Sequence, residues 1–284
     1  MSETERTMDQ AKLRAWIGKT EEASDTIHVG PARLMQATLD REPKLKTGDE
    51  LPLGWHRFYF PTEARSSALG RDGHSAMGEF LPPVALPRRM WAGGRFDVTS
   101  PVLFGETVKR ISTIKNVVMK EGRTGPLCFV TVVHDHRGAD GAGRFTEEQS
   151  LVFREDPEPG QPAQQPTAPP ANAVVTETIT PSPVQLFRYS ALTFNSHRIH
   201  YDVDYCRDVE GYPGLIFHGP FTATLLADLA ARHGNGKRIS SFDYRAISPL
   251  YDTGPFSIHW NGTDTVWAET PDGALAMKAK VEFA

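Results

Sequence analysis

The stretch GPFTATLLADLAAR, residues 219–232, decides how this chain is expected to fold. Phe221, Leu225, Leu226 and Leu229 recur at helical spacing and so share one face. Pro220 suits a first helical turn, and Gly234 stands just past the end as a stop. A helix this apolar needs a surface to cover, and strand-like segments follow at 239–246, 256–260, 265–270 and 274–283. The last two are joined by a turn at residues 271–273.

Outward from there, residues 155–171 read EDPEPGQPAQQPTAPPA, rich in proline and with alanine as their only apolar residue. Such a segment cannot build a core and favours extended conformations, so residues 155–173 are expected to link two units, 1–154 and 174–284. The first unit shows the same theme. Helical spacing at 8–17 and 31–39 precedes segments rich in Val, Ile, Thr and Phe at 107–119, 127–136 and 145–153. EGRTGP and RGADGAG supply the turns between them, and a weak echo pairs Ser100-Pro101 with Ser248-Pro249. A duplicated α+β unit, each copy a helix wrapped by a curved antiparallel sheet, accounts for both halves.

Composition narrows the function. The chain has 284 residues and a formal net charge of −4, with no basic tail or stripe, which argues against nucleic acid as a partner. Cys128 and Cys206 are too few for a disulfide framework, so a reducing compartment is expected. The first twelve residues lack the apolar run of a signal peptide, and no stretch approaches the roughly 20 apolar residues of a membrane span. A cytoplasmic location without membrane partners is the expectation.

Candidate chemistry concentrates in residues 187–229, FRYSALTFNSHRIHYDVDYCRDVEGYPGLIFHGPFTATLLADL. His200 titrates near neutrality and is the acid/base candidate. Asn195 can donate and accept hydrogen bonds and so orient a water. His197 and Arg198 add a second imidazole and a carboxylate clamp. His218-Gly219-Pro220 opens the helix, where free amides and the helix dipole suit a developing oxyanion, although a simple loop-to-helix turn explains the same residues. Tyr189 joins the substrate-binding candidates. Arg88 and Arg89 are candidates for phosphates or a carboxylate of a ligand, or else solvated surface arginines. Three other features are set aside. His134-Asp135-His136 lacks a third metal ligand and reads as a polar strand end. GRDGHSAMG, residues 70–78, lacks the lysine and helix of a phosphate loop. Neither cysteine has a base beside it.

The run Asn195-Ser196-His197-Arg198-Ile199-His200, followed by Gly211-Tyr212-Pro213 and His218-Gly219, resembles the hydratase-2 motif of the MaoC-like hotdog family. There a Gly-Asp-x-Asn-Pro-x-His run precedes a Gly-Phe/Tyr-Pro…His-Gly segment. The motif's aspartate falls on Asn195, its asparagine on His197 and its catalytic histidine on His200. The loss of the aspartate departs from the family's two-residue acid/base scheme. FNSHRIHYD and EGYPGLIFHGP are also similar to 3-methylfumaryl-CoA (mesaconyl-C4-CoA) hydratases, itaconyl-CoA hydratases and mitochondrial-type 3-hydroxyacyl thioester dehydratases. Phe80-Leu81-Pro82-Pro83 and Pro87-Arg88-Arg89-Met90-Trp91-Ala92-Gly93-Gly94 look like the N-terminal domain of those enzymes.

The resemblance implies a double hotdog and a hydro-lyase acting on a short, branched or carboxylated enoyl-CoA. A dehydratase of 3-hydroxyacyl carrier-protein thioesters and a non-catalytic acyl-thioester binder are the alternatives. It implies His200 and Asn195 as catalytic residues and Gly219 with His218 at the thioester oxygen. His197, Arg198, Tyr189, Arg88 and Arg89 are the candidates for substrate contact. No metal and no cofactor beyond the substrate's own coenzyme A are expected, and self-association is.

Overall fold

The computed structural model describes residues 10–122, 125–156 and 165–284. Helix α1 (Gln10–Arg14), strand β1 (Thr20–Thr26) and helix α2 (Val29–Thr38) precede strands β2 (Arg88–Val98), β3 (Thr107–Gly122), β4 (Gly125–Gly138) and β5 (Gly143–Arg154). Then come β6 (Val175–Ile179), α3 (Pro183–Leu192), α4 (Gly219–His233), β7 (Ile239–Ala246), β8 (Phe256–Trp260), β9 (Thr265–Glu269) and β10 (Leu275–Phe283). The strands form one antiparallel sheet in the order β1-β3-β4-β5-β2-β7-β10-β9-β8-β6. Strands that precede the proline-rich segment fill one side of this order, strands that follow it fill the other, and β2 pairs with β7 between them.

Two glycines make that pairing possible. A Cβ on Gly93 would fall 2.4 Å from the Tyr244 carbonyl oxygen, and one on Gly94 would fall 2.4 Å from the Glu148 carbonyl oxygen. Neighbouring backbones therefore pass where no side chain fits.

Helix α4 spans the stretch its spacing predicts. Phe221, Leu226 and Leu229 are fully buried and Leu225 nearly so, against β7–β10. Each such side chain contributes roughly 1.5–3 kcal/mol on burial. Thr222, Ala223, Thr224, Ala227 and Ala230 are buried as well, so the helix is enclosed rather than amphipathic.

The first half is built differently. Its helix α2 has only ten residues and packs on α3. Residues 39–87 then carry Pro43, Pro52, Pro61, Pro82, Pro83 and Pro87, which interrupt helices, and the segment holds only 3₁₀ turns at Trp55–Phe58 and Ser66–Ala68. Val84 and Leu86 from it join Leu13, Ile114, Val117, Cys128, Val130, Val132, Leu151 and Phe153 in a second core.

Strands β1 and β6 and helix α3 escape the sequence patterns for physical reasons. TEEASDT and VTETI are short sheet-edge strands with half-exposed residues and no apolar alternation. In α3, Val184 and Phe187 lie on the exposed side, which masks the buried Leu186 and Tyr189. Its start is nevertheless well capped: the Gln185 amide donates to Ser182 Oγ at 3.1 Å, and Pro183 begins the first turn. Met8 and Asp9 of the expected first helix, Arg123 and Thr124 of the β3–β4 turn, and residues 157–164 of the linker lie outside the described residues. Beyond the linker's gap, Thr167 accepts from the Leu275 amide at 2.8 Å, so this segment meets the start of β10. Among the described residues, no helix is long and apolar enough to cross a membrane.

Candidate active site

A cavity of about 1660 Å³ runs between the two halves, bordered by α3, the start of α4, β2, β4 and β5. His200 lies on a 3₁₀ turn at Arg198–His200 and is buried. Its Nδ1 donates to the Ile216 carbonyl at 2.8 Å, which leaves Nε2 with its lone pair. Burial pushes its pKa down to about 3, against the opposing effect of the Ile216 carbonyl, so the ring is neutral. His218, the N-cap of α4, stacks on it with ring centroids 3.6 Å apart. His218 Nε2 pairs with Ser190 Oγ at 2.9 Å, while its buried Nδ1 has no partner. Burial and the neighbouring His200 hold its pKa well below the usual imidazole value.

Gly219 follows at the first turn of α4 and lines the cavity, where a Cβ would approach no atom closer than 3.8 Å. The first amides of a helix have no acceptor within it and carry partial positive charge. Tyr189 reaches the same end from α3. Its ring stacks on Phe221 at 4.3 Å, and burial of its hydroxyl pushes its pKa up to about 12.

Asn195 is placed in the cavity wall, but its oxygen is committed: Oδ1 accepts from the His197 amide at 3.0 Å. The side-chain NH₂ remains as a donor toward ligand. His197 is buried, its ring edge-on to His200 at 5.5 Å. The two neighbouring arginine candidates have other partners. Arg198 binds Asp202 through Nε at 3.0 Å and lies over the Tyr205 ring. Arg88 is buried, with Nε donating to Glu210 at 2.6 Å and its guanidinium over Tyr212. Arg89, one residue along β2, lines the cavity half-buried.

The site also contains residues that pattern reading missed. The Gly70–Gly78 loop, which fails as a phosphate loop, brings Asp72 and His74 against His197. His74 Nδ1 donates to Asp72 Oδ2 at 2.8 Å, and the His74 and His197 rings stand 4.1 Å apart. The loop docks by backbone: the Arg198 amide donates to the Asp72 carbonyl at 2.8 Å, and Ser196 Oγ donates to the Gly73 carbonyl. At Gly73, with φ of 88°, a Cβ would fall 2.0 Å from the Ser196 carbonyl oxygen, so only glycine permits this approach. A carboxylate is thus brought against His197 from the other half of the chain, with Asp72 Oδ2 3.9 Å from His197 Nε2. Burial would raise the Asp72 pKa, but the His74 hydrogen bond and charge hold it below the usual range. The only available signal was an Asp-x-His spacing between glycines.

Asp72, His74 and His197 are also a group whose ligand atoms lie within 4.8 Å of one another, a set suited to a divalent cation. The charge of Arg89 bears on both histidines, and Asp72 is already hydrogen-bonded to His74. Burial and the Arg89 charge keep the two imidazoles neutral, while the Asp72 hydrogen bond opposes them at His74.

A second polar group sits deeper, in the first half. His134 and His136 share one face of β4, as strand alternation requires, but they are buried within the sheet rather than at a polar strand end. Glu147 on β5 stands opposite His134 and explains the correction. It accepts from His56 Nε2 at 2.8 Å and from Arg57, and the charge of Arg57 and His56 overcomes burial to keep it ionised.

Residues 54–252 match the family of hydroxyacyl-thioester dehydratases type 2. The chain is 44% identical over 286 positions to the mesaconyl-C(4)-CoA hydratase of Chloroflexus aurantiacus, covering 97% of this chain and 99% of that one. It is 26% identical to the mitochondrial hydroxyacyl-thioester dehydratase type 2 of Schizosaccharomyces pombe, over 76% of this chain and 79% of that one. Among solved structures, a MaoC-like dehydratase superposes with a TM-score of 0.69 at 14% identity, covering 95% and 99% of the two chains. A Mycobacterium tuberculosis protein described as a double hotdog superposes with a TM-score of 0.58 at 11% identity, covering 94% and 96%. The α+β double-hotdog architecture and the match across most of both chains lead to one conclusion: this chain belongs to the hydroxyacyl-thioester dehydratase type 2 family of hydro-lyases.

Proposed function

We propose that this chain is a hydro-lyase that reversibly hydrates a short, carboxylated enoyl-CoA of the mesaconyl-C4 type. The observation that carries this is the neutral His200, with Nε2 free, stacked on His218 at the head of α4. The thioester carbonyl sits at the Gly219 amide, which draws electrons from the β-carbon. His200 Nε2 takes a proton from a water held by the Asn195 NH₂ group, the water oxygen bonds to the β-carbon, and the π electrons move to the thioester oxygen as an enolate. The same proton, returned from His200 to the α-carbon, restores the carbonyl and closes the cycle. Dehydration is the reverse, and the similarity to hydroxyacyl-thioester dehydratases favours it as the second reading.

The chemistry needs no electron carrier, and coenzyme A enters as part of the substrate. The strand order supports a division into units 1–154 and 174–284 joined by residues 155–173. A cytoplasmic, self-associating protein is the setting that best fits a diffusible CoA substrate. The test is loss of the enoyl-thioester absorbance when purified protein is added to short, branched and dicarboxylic enoyl-CoAs. Turnover of none of them overturns the proposal, and turnover confined to carrier-protein thioesters replaces the carrier.

A further inference from the structure

Six of the described arginines line the cavity, and three of them are matched by carboxylates. Arg57 pairs with Glu147, Arg88 with Glu210, and Arg110 faces Glu21 at 4.0 Å. Arg89 differs. Among the described residues, its guanidinium has neither a carboxylate within ion-pair distance nor a hydrogen bond. Asp72 acts on it only at longer range, because both Asp72 oxygens are taken by His74, Oδ1 by the backbone amide at 3.0 Å and Oδ2 by Nδ1 at 2.8 Å. Burial lowers the Arg89 pKa to about 10, which still leaves it charged. A half-buried cation without a counter-ion is costly to the fold unless a ligand supplies the anion.

Strand alternation explains why two adjacent arginines have opposite fates. Arg88 and Arg89 point to opposite faces of β2, one into Glu210 and the other toward the histidines. Arg154 and Arg207 also line the cavity without a carboxylate at ion-pair distance among the described residues, but it is Arg89 whose charge bears on His74 and His197.

We infer that Arg89 is the specificity-determining residue of this site, binding the free carboxylate of an unsaturated diacid monothioester. The inference rests on the enoyl-thioester reading above and assigns its substrate class to one side chain. In a four-carbon substrate of this class the free carboxylate is bonded to the β-carbon, the atom that water attacks. The cation that recognises it must therefore stand beside the acid/base histidines, as Arg89 does. A substrate with a methyl group in place of that carboxylate leaves Arg89 unmatched, so discrimination is built into the empty charge.

The experiment compares wild type with Arg89→Gln and Arg89→Lys on two pairs of CoA thioesters. The reactive pair is the monothioester of trans-butenedioic acid and crotonyl-CoA, which has methyl in place of carboxylate. The unreactive pair is succinyl-CoA and butyryl-CoA, read as Kd. Arg89→Gln should lower kcat/KM for the carboxylated substrate by about 10²–10³-fold and change crotonyl-CoA by less than about 3-fold. Arg89→Lys should keep part of the preference, as a point charge without the fork. The Kd preference for succinyl-CoA over butyryl-CoA should collapse in parallel. Equal losses on both members of a pair, or no loss on the carboxylated one, overturn the assignment. If wild type hydrates neither reactive thioester, the hydratase reading fails, and the Kd pair still decides the role of Arg89.

Discussion

Two histidine groups lie on the same cavity, and they are balanced in opposite ways. In the first half, Glu147 accepts from His56 and Arg57, and Ser112 Oγ pairs with His134 Nδ1 at 2.9 Å, so the carboxylate is matched within the protein even though both nitrogens of the adjacent His136 are buried without a partner. In the second half, His197, His200 and His218 cluster with, among the described residues, no carboxylate of their own half beside them, and His218 Nδ1 is buried without a partner. A buried polar group without a partner costs stability unless it serves a ligand. The group built on a matched carboxylate is expected to hold the fold, and the group at the head of α4, where the amides of a helix start face the cavity, to perform the chemistry.

The largest expected effect breaks that contrast most directly. His200→Ala should lower kcat by about 10²–10⁴-fold while thioester binding is largely kept. His200→Gln should not restore it, since an amide holds water but does not exchange its proton. His56→Ala should instead leave kcat of the folded protein within a few-fold while lowering its stability. Equal kcat losses in the two variants, measured on folded protein, would erase the distinction.

Next in size is Glu147→Gln. Removing the charge leaves Arg57 unmatched in a buried setting, where breaking an ion pair costs about 3–5 kcal/mol. Denaturant titration should show that loss, with kcat of the remaining folded protein nearly unchanged. Asn195→Ala comes third. It strips the acceptor from the His197 amide and the donor toward the water, with an expected cost of about 1–3 kcal/mol divided between stability and turnover. Turnover and melting temperature that both stay at wild-type values would exclude the loop role seen for Oδ1.

The smallest effect concerns pH. Burial depresses the pKa of both groups, His134 to about 4 and His200 to about 3. Between those values and the unfolded value near 6.5, the unfolded chain binds protons that the folded chain refuses, so stability rises with pH. It is complete above about pH 6.5 and lost as pH falls below it, by about 1.4 kcal/mol per pH unit for each such histidine. His136, whose two buried nitrogens have no partner, stacks on Phe145 with centroids 4.0 Å apart. His136→Phe should flatten the acid limb of a melting-temperature profile and, at neutral pH, stabilise by about 1 kcal/mol. An unchanged acid limb would show that the imidazole is already charged in the fold.

Local pattern was enough for much of this protein. The periodicity of Phe221, Leu225, Leu226 and Leu229 placed α4, and the alternating apolar residues placed β7 and β8 at their observed limits. Residues 195–200 and 218–219, to which the acid/base and helix-start roles are proposed, were legible because they are close in sequence as well as in space. Three-dimensional packing alone decided the rest. Asp72 and His74 reach the site across more than a hundred residues, through backbone contacts at Gly73 that no periodicity encodes. Whether Arg88 or Arg89 is spent within the fold depends on Glu210, which only the folded chain brings to one of them. Helical and strand patterns report local burial, whereas the partner of a charge is a long-range fact, settled when the two halves close on their shared cavity.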